Sequence, residues 1–383
     1  MGCRYLQIVE GDANIQYIGL RETEYPLTIK SYCIENERQK HIYETAVKTL
    51  QLCYHEHYED CPWREQSMYI MDSRNQMLCG YYAFDNKECA KSSIQLIGEG
   101  QKDNGLFELC FPADVSITIP SFSLAFTKML LEYVKYSDDV EILQKMLPKV
   151  EKMLNFFLSR LDENGLFKTV SEEGIWHFYE WAGTLDGSFF AVDDEKKERN
   201  EYDLLINTFL LLSLQDTAVL FEMLGDVVKK TYYSTISNRL KQSVRQNFFV
   251  VETGLFKTYN DDRNDCSELA NALCILTDVC DKNEAEYICD KFTSNYQGWT
   301  RNTLSMSIFK YDALLKTNLK KYESFVLSDI EAIYGYMLDN GATSFWETIK
   351  GEADFDLAGS LCHGWSALPI YYYWYLGVAK VKA

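Results

Sequence analysis

Two periodicities divide the chain. Near its start apolar and polar residues alternate, and Arg4-Tyr5-Leu6-Gln7-Ile8-Val9 and Asn14-Ile15-Gln16-Tyr17-Ile18 read as short strands separated by the turn signal Gly11-Asp12. A lone hairpin is barely stable in water, so this one must lean on the following domain, on another chain or on a segment not present here. From about residue 34 the apolar positions return every three to four residues, the helical spacing, with breaks at loops rich in Gly, Asp and Asn. This pattern predicts helices near 35–56, 63–83, 120–136, 139–161, 200–224, 227–247, 265–280, 283–293, 301–316, 321–338 and 360–378, eleven in all, with a twelfth hidden if the helices pair. Asp138 or Asp139 would cap the start of the fourth, and Gly225 would stop the fifth.

An internal echo supports a repeated build. Gly165-Leu166-Phe167-Lys168-Thr169 recurs as Gly254-Leu255-Phe256-Lys257-Thr258, and Gly105-Leu106-Phe107-Glu108-Leu109 is a weaker third copy, each following a predicted helix. Coincident loop chemistry would also give such an echo. Read as a repeat, each copy marks the same end of successive helical hairpins, whose connecting loops line one rim. Eleven or twelve helices paired in this way suit a toroid of six hairpins, an all-α (α/α)6 barrel, better than a bundle or a superhelix.

The densest chemistry lies in Tyr58-Glu59-Asp60-Cys61-Pro62-Trp63-Arg64-Glu65-Gln66-Ser67-Met68-Tyr69-Ile70-Met71-Asp72. Pro62 suits the first position of a helix, which places Asp60 at the entry of the predicted helix 63–83. At about 100° per residue Glu65, Tyr69, Asp72 and Gln76 then share one sector, with Ile70, Met71, Met77 and Leu78 opposite. The same spacing describes the solvated face of an ordinary amphipathic helix. Residue by residue, however, Asp60, Pro62, Arg64, Glu65 and Asp72 resemble the Asp-x-Pro-x-Arg-Glu and following Asp of the glycoside hydrolase family 78 α-L-rhamnosidases.

That resemblance implies a six-hairpin (α/α)6 catalytic domain over residues 31–383. It also implies that residues 1–30 are a short β segment left from a β-sandwich domain, with Gly2-Cys3-Arg4-Tyr5-Leu6 similar to the sandwich's closing strand. Thr343-Ser344-Phe345-Trp346-Glu347 and Gly359-Ser360-Leu361-Cys362-His363-Gly364-Trp365 match the family's Trp-Glu pair and its later Ser-x-x-His. Breaking a glycosidic bond needs one carboxyl kept protonated for the leaving oxygen and another, ionised, acting on the opposite face of the ring. The family inverts configuration, so the resemblance makes Glu65 the general acid and Glu347 the base that activates water. Asp60 and Asp72, expected to stay ionised, would hold sugar hydroxyls, and Arg64 would bind substrate or hold the carboxylates charged. Trp63, Trp181, Trp346 and Trp365 would stack on the apolar face of a 6-deoxy sugar, although each is equally at home in a core. His363 would contact a hydroxyl or serve as a structural histidine. Phe178-Tyr179-Glu180-Trp181 departs from the family's Phe-x-Asp-Trp by one methylene.

Composition narrows the remaining choices. The chain carries 38 basic against 57 acidic residues, a net charge of −19, and no Lys/Arg cluster, which argues against nucleic acid and anionic membranes as partners. A neutral carbohydrate fits that balance, and a uronate-binding lyase, which would want basic residues, does not. The cysteines show no CxxC or Cys/His zinc spacing, and His55 and His57 beside the motif lack a third ligand, so no metal or cofactor is expected. Scattered free thiols, no apolar leader and no apolar run of membrane-spanning length point to the cytoplasm. Nothing in the sequence sets an oligomeric state. The expected activity is removal of terminal α-L-rhamnose; the alternative is a non-catalytic carbohydrate-binding remnant of such a protein.

Overall fold

The computed structural model describes residues 7, 9–11, 14–19, 23, 25–187, 200–261, 265–294 and 296–382. Eleven helices follow one another: α1 Glu37–Leu52, α2 Ile70–Ala83, α3 Glu88–Glu99, α4 Pro120–Ser137, α5 Val140–Leu158, α6 Leu204–Met223, α7 Val227–Phe248, α8 Glu268–Leu276, α9 Lys282–Thr293, α10 Ser307–Asp339 and α11 Pro369–Tyr375. α10 is two helices joined at Asn318, whose φ of −160° and ψ of 96° break the helical path while its side chain accepts from Lys321 N–H at 3.2 Å. With α10 counted as two, the described residues supply twelve helices. α2, α4, α6, α8, the first half of α10 and α11 pack side by side and close on α2, forming an inner ring, with α1, α3, α5, α7, α9 and the second half of α10 outside it. This is the expected (α/α)6 toroid.

The periodicity missed one helix and misplaced several starts. α3 is the hidden twelfth; its sequence signal is Asn86, whose side chain accepts from Cys89 N–H at 3.0 Å ahead of buried Ala90, Ile94 and Ile97. The helix predicted from 63 begins only at Ile70, because Asp60 and Ser67 close the intervening segment into a loop. Ser67 N–H donates to Asp60 Oδ1 at 2.8 Å and Asp60 N–H to Ser67 O at 2.9 Å, with Gln66 at a φ of 52°. Of the predicted sector, only Asp72 and Gln76 are helical. α6 starts where Asp203 caps Leu205 N–H, and α8 where Ser267 caps Ala270 N–H, each a few residues after its predicted start. Asp138 and Asp139 divide their work: Asp138 ends α4 at a φ of 58°, and Asp139 caps α5 through Ile142 N–H. Gly225 follows α6 at a φ of 74°.

Most of the predicted strand Arg4–Val9 lies outside the described residues, and Asn14–Ile18 forms no strand or bridge among them. The strand at this end is Tyr32–Cys33, paired antiparallel with Lys380–Val381, so it ties the first hairpin to the end of the chain. Contrary to the sequence reading, Leu204–Met223 is long and apolar enough to cross a membrane, but it is α6 and mostly buried within the barrel.

The Gly-Leu-Phe echo is a structural repeat. Gly105, Gly165 and Gly254 have φ of 100°, 73° and 68° and turn the chain after outer helices α3, α5 and α7. In the two stronger copies an asparagine of the next inner helix grips the phenylalanine backbone at both atoms. Asn207 Oδ1 and Nδ2 bond Phe167 N–H and C=O, both at 2.8 Å, and Asn271 does the same to Phe256, both at 3.0 Å. In the weaker copy Ser123 accepts from Phe107 N–H and Thr118 donates to its carbonyl. The loops entering the inner helices then touch one another around one rim, as at Tyr69 and Cys110, Thr118 and Ile175, Asp203 and Tyr259, and Ser267 and Thr300.

Candidate active site

The loop before α2 and the long loop before α11 meet at this rim. Gly364 N–H donates to Asp60 O at 2.7 Å, and Arg64 Nη1 donates to Ala358 O at 2.6 Å. Glu347 is locked to Ser360 in both directions: Glu347 N–H bonds Ser360 O at 2.8 Å, and Ser360 N–H bonds Glu347 Oε2 at 3.0 Å. Trp365 Nε1 adds a bond to Glu347 O at 3.0 Å.

Arg64 draws the two predicted catalytic carboxylates together. Its Nη2 stands 3.0 Å from Glu347 Oε2 and 3.3 Å from Glu65 Oε1. The gap between the two acids' nearest oxygens therefore cannot exceed those two distances laid end to end. Tyr69 OH donates to Glu65 Oε2 at 2.8 Å, so the pairing expected from a helix turn is made across a loop instead. The two carboxylates differ in exposure, 38% for the Glu65 side chain against 4% for Glu347. Burial raises the Glu347 carboxyl, while the Ser360 N–H and Arg64 work the other way.

Beneath them Asp60, Asp72 and His363 are almost fully buried. His363 Nε2 is 3.8 Å from Asp60 Oδ2 and its Nδ1 3.8 Å from Asp72 Oδ1, too long for hydrogen bonds. Asp60 Oδ2, Asp72 Oδ1 and His363 Nδ1 have no hydrogen-bond partner. Buried polar atoms are nearly always satisfied, so three orphans in one place mark where a polar ligand would sit. Their protonation departs from expectation. Burial, and then the charge of Glu65, raise Asp60 to about 7; burial, and then Asp60, push Asp72 well up; and burial drives His363 well below its usual value. Taking charge out of water costs more than these neighbours return, so the acids expected to stay ionised favour their protons.

The tryptophans separate into different jobs. Trp63 is 49% exposed but its Nε1 is committed to Ser360 Oγ at 3.1 Å, so it braces the Glu347 loop. Trp346 is half-buried with its ring packed over Gly351, and Trp365 is buried against His363 with ring centres 3.9 Å apart. Trp181, half-buried, meets the edge of Phe355 at 5.0 Å, and Phe355 in turn lies 5.9 Å from the Arg64 guanidinium. Glu180 spends its carboxylate on the surrounding loops. It is fully buried and accepts from Trp181 N–H, Thr303 N–H, Thr303 Oγ1 and Ser305 Oγ, which ties the loops before α6 and α10 together. Phe355 is a site residue that sequence reasoning did not single out, and Ser360 entered only as the serine of the Ser-x-x-His match, without a role of its own. Both lie in an irregular loop where no periodicity announces them. Among the described residues no group of His, Cys, Asp and Glu has a metal-holding arrangement. The groove of about 550 Å³ between α1 and α10 lies elsewhere, and its Arg38 is already paired with Asp339.

A family model described as the bacterial alpha-L-rhamnosidase 6 hairpin glycosidase domain matches residues 33–376. The chain belongs to that family. This rhamnosidase-family barrel is similar to the family 78 rhamnosidase of Bacillus sp. GL1, with 23% identity and a TM-score of 0.80 over 91% of this chain and 36% of that one. It is similar also to the rhamnosidase from Klebsiella oxytoca solved with rhamnose bound, with 22% identity and a TM-score of 0.77 over 91% of this chain and 66% of that one. The chain thus spans between about a third and two thirds of the length of these enzymes. More distantly, it resembles the GH63 mannosylglycerate hydrolase of Thermus thermophilus, with 12% identity and a TM-score of 0.60 over 87% of this chain and 100% of that one. At these identities the likeness speaks for the fold alone. No curated protein matches the chain.

Proposed function

We propose that the protein is an inverting glycoside hydrolase that removes terminal α-L-rhamnose from glycosides or polysaccharides. The observation carrying this reading is the pair Glu65 and Glu347 on one guanidinium, one exposed and one buried, above three orphaned polar atoms. Glu65, at the open side, protonates the leaving oxygen. Glu347, oriented by Arg64 and the Ser360 N–H, takes the proton of the water that attacks the opposite face. Asp60 and Asp72 in protonated form can each donate to a sugar oxygen, and neutral His363 offers one donor and one acceptor. The nearest-oxygen gap that Arg64 imposes falls below the roughly 6.5–9.5 Å usual for inverting pairs, so inversion requires Glu65 to swing away from the guanidinium and admit a water.

The test is hydrolysis of an aryl α-L-rhamnoside within a panel of other aryl glycosides, with the first-released anomer read by proton NMR. Release of the β-anomer supports inversion, and the α-anomer refutes it. Binding of L-rhamnose without hydrolysis anywhere in the panel would favour the rival reading, a sugar-binding remnant, which the match to only 36% of the Bacillus enzyme motivates. Hydrolysis of another glycoside alone would keep the machinery and overturn the sugar.

A further inference from the structure

A second set of unspent polar groups lies inside the barrel, apart from the rim. Five of the six inner helices contribute to it: Arg74 from α2, Lys128 and Glu132 from α4, Asp216 from α6, Asp312 from the first half of α10 and Tyr371 from α11. Side chains from so many inner helices can meet only in the lumen. Part of the cluster is closed. Arg74 forks onto Glu132 through Nε at 2.7 Å and Nη2 at 2.5 Å, and Asp312 accepts from Tyr372 OH at 2.9 Å. The rest is open. Lys128 Nζ stands 4.0 Å from Glu132 Oε1 and 3.9 Å from Asp216 Oδ1, beyond hydrogen-bond reach, and its side chain is 29% exposed. Asp216 Oδ2, on a residue only 7% exposed, has no hydrogen-bond partner. Tyr371 OH makes no hydrogen bond among the described residues. Half-buried rings then wall the end opposite the rim. Tyr82 and Tyr136 are the penultimate residues of α2 and α4, and Tyr82 meets Tyr371 with ring centres 5.6 Å apart. The hydroxyls of Tyr82 and Tyr136 bond each other at 2.7 Å, which leaves one phenolic proton unused.

We propose that this recess at the base of the barrel is a second binding site, separate from the rim, for an uncharged polyhydroxylated ligand, a monosaccharide or cyclic polyol. The chemistry selects the class. Two cations, Arg74 and Lys128, face three acids, and burial raises Asp216 to about 6 and Asp312 above its usual range. The recess therefore carries little net charge and rewards neither an anion nor a cation. One hydroxyl set between Lys128 and Asp216 can accept from the ammonium and donate to the carboxylate at once, and the 3.9 Å gap admits it. A second hydroxyl can take the proton of Tyr371 or of the Tyr82–Tyr136 pair, with the ligand's carbon face against the rings. A trapped water would satisfy the Lys128–Asp216 pair but gain nothing from the aromatic wall. None of these groups belongs to the rim or its floor, so the recess would hold its ligand whatever bond Glu65 and Glu347 cleave.

The test is equilibrium titration of the full chain with L-rhamnose, D-glucose, D-galactose, D-mannose and myo-inositol, read by calorimetry and by saturation-transfer NMR. At least one of these should bind the wild type saturably, keep its affinity within about two-fold in the rim variant His363→Ala, and weaken about ten-fold or more in Lys128→Met, which removes a charge-assisted hydrogen bond. Tyr371→Phe, which removes one oxygen and little packing, should weaken the same ligand about three-fold. Circular dichroism melts establish that each variant is folded at the titration temperature, and Tyr371→Phe carries the test if Lys128→Met is not. Binding lost in His363→Ala and untouched in Lys128→Met and Tyr371→Phe would put every ligand at the rim. Equal losses in all three variants would mean a change of shape rather than a second site, and no saturable binding of any of these compounds would mean that the recess holds water only. Each of these results overturns the proposal. No hydrolysis is needed for any of the titrations, so failure of the rhamnosidase assignment and failure of the base site are separately visible.

Discussion

Replacing Asp60 by asparagine measures what the buried floor costs the fold. The carboxyl titrates near 3.8 in an unfolded chain and near 7 here, because burial and then the Glu65 charge disfavour its ionised form. A raised folded-state value contributes stability that is complete below the unfolded value and lost as pH rises through the folded one. The window therefore runs from about pH 4 to about pH 7, and roughly three units across it amount to about 4 kcal/mol. Unfolding entropy for a chain of 383 residues is about 0.8 kcal/mol/K, so the effect is on the order of 5 °C in Tm. Asparagine keeps an oxygen for the Ser67 N–H and has nothing to titrate. Thermal unfolding of both proteins followed by circular dichroism at about pH 5 and about pH 8.5, an interval that spans about two of the three units, should show Asp60→Asn gaining on the wild type by about 3 °C. Activity should fall in the variant. A Tm difference that stays constant with pH, or that moves the other way, would show that Asp60 is not carrying a proton in the folded chain.

Three further outcomes follow from the site and the scaffold. Glu65→Gln should lose roughly 10²–10⁴ in rate on a poor leaving group and less on an activated aryl group, whereas Glu347→Gln should impair both alike; equal loss ratios for the two variants would reverse or void the assignment. Arg64→Gln removes the cation that lowers Glu347, so the acid limb of kcat/KM, already above the ordinary glutamate range because of burial, should move to still higher pH. An unmoved limb would mean that Glu347 is not the group titrating there. Asn271→Ala strands both backbone groups of Phe256 in the core and should destabilise by about 2–4 kcal/mol in urea titration; an effect under about 0.5 kcal/mol would mean that the repeat's asparagine grip is dispensable.

How far the sequence carried the reading depends on the distance over which each feature is decided. The toroid was legible because helical spacing and the Gly-Leu-Phe echo are local and recur; the positive φ of Gly105, Gly165 and Gly254 is the physical reason for the shared glycine. The start of α2 was not, because Pro62 suits a turn as well as a helix. What decides between them is the Asp60–Ser67 closure together with Gly364, some three hundred positions away in the chain. Glu65 and Glu347 were identified through resemblance rather than spacing, since no one-dimensional pattern joins residues that meet only on Arg64. Their environments differ: Glu65 keeps contact with solvent, while Glu347 is buried and held by a cation and a backbone N–H. The protonation of the floor was misjudged for a related reason. A carboxyl read along a chain is taken at its solvated value and so as ionised, whereas burial of Asp60 and Asp72 is a property of the closed ring, and it outweighs the rest. Asp60, Asp72 and Glu347 are all buried, so what sets Glu347 apart from the floor is the Arg64 guanidinium and the Ser360 N–H that work against its burial, and on the proposed mechanism that difference is what divides a base from proton donors.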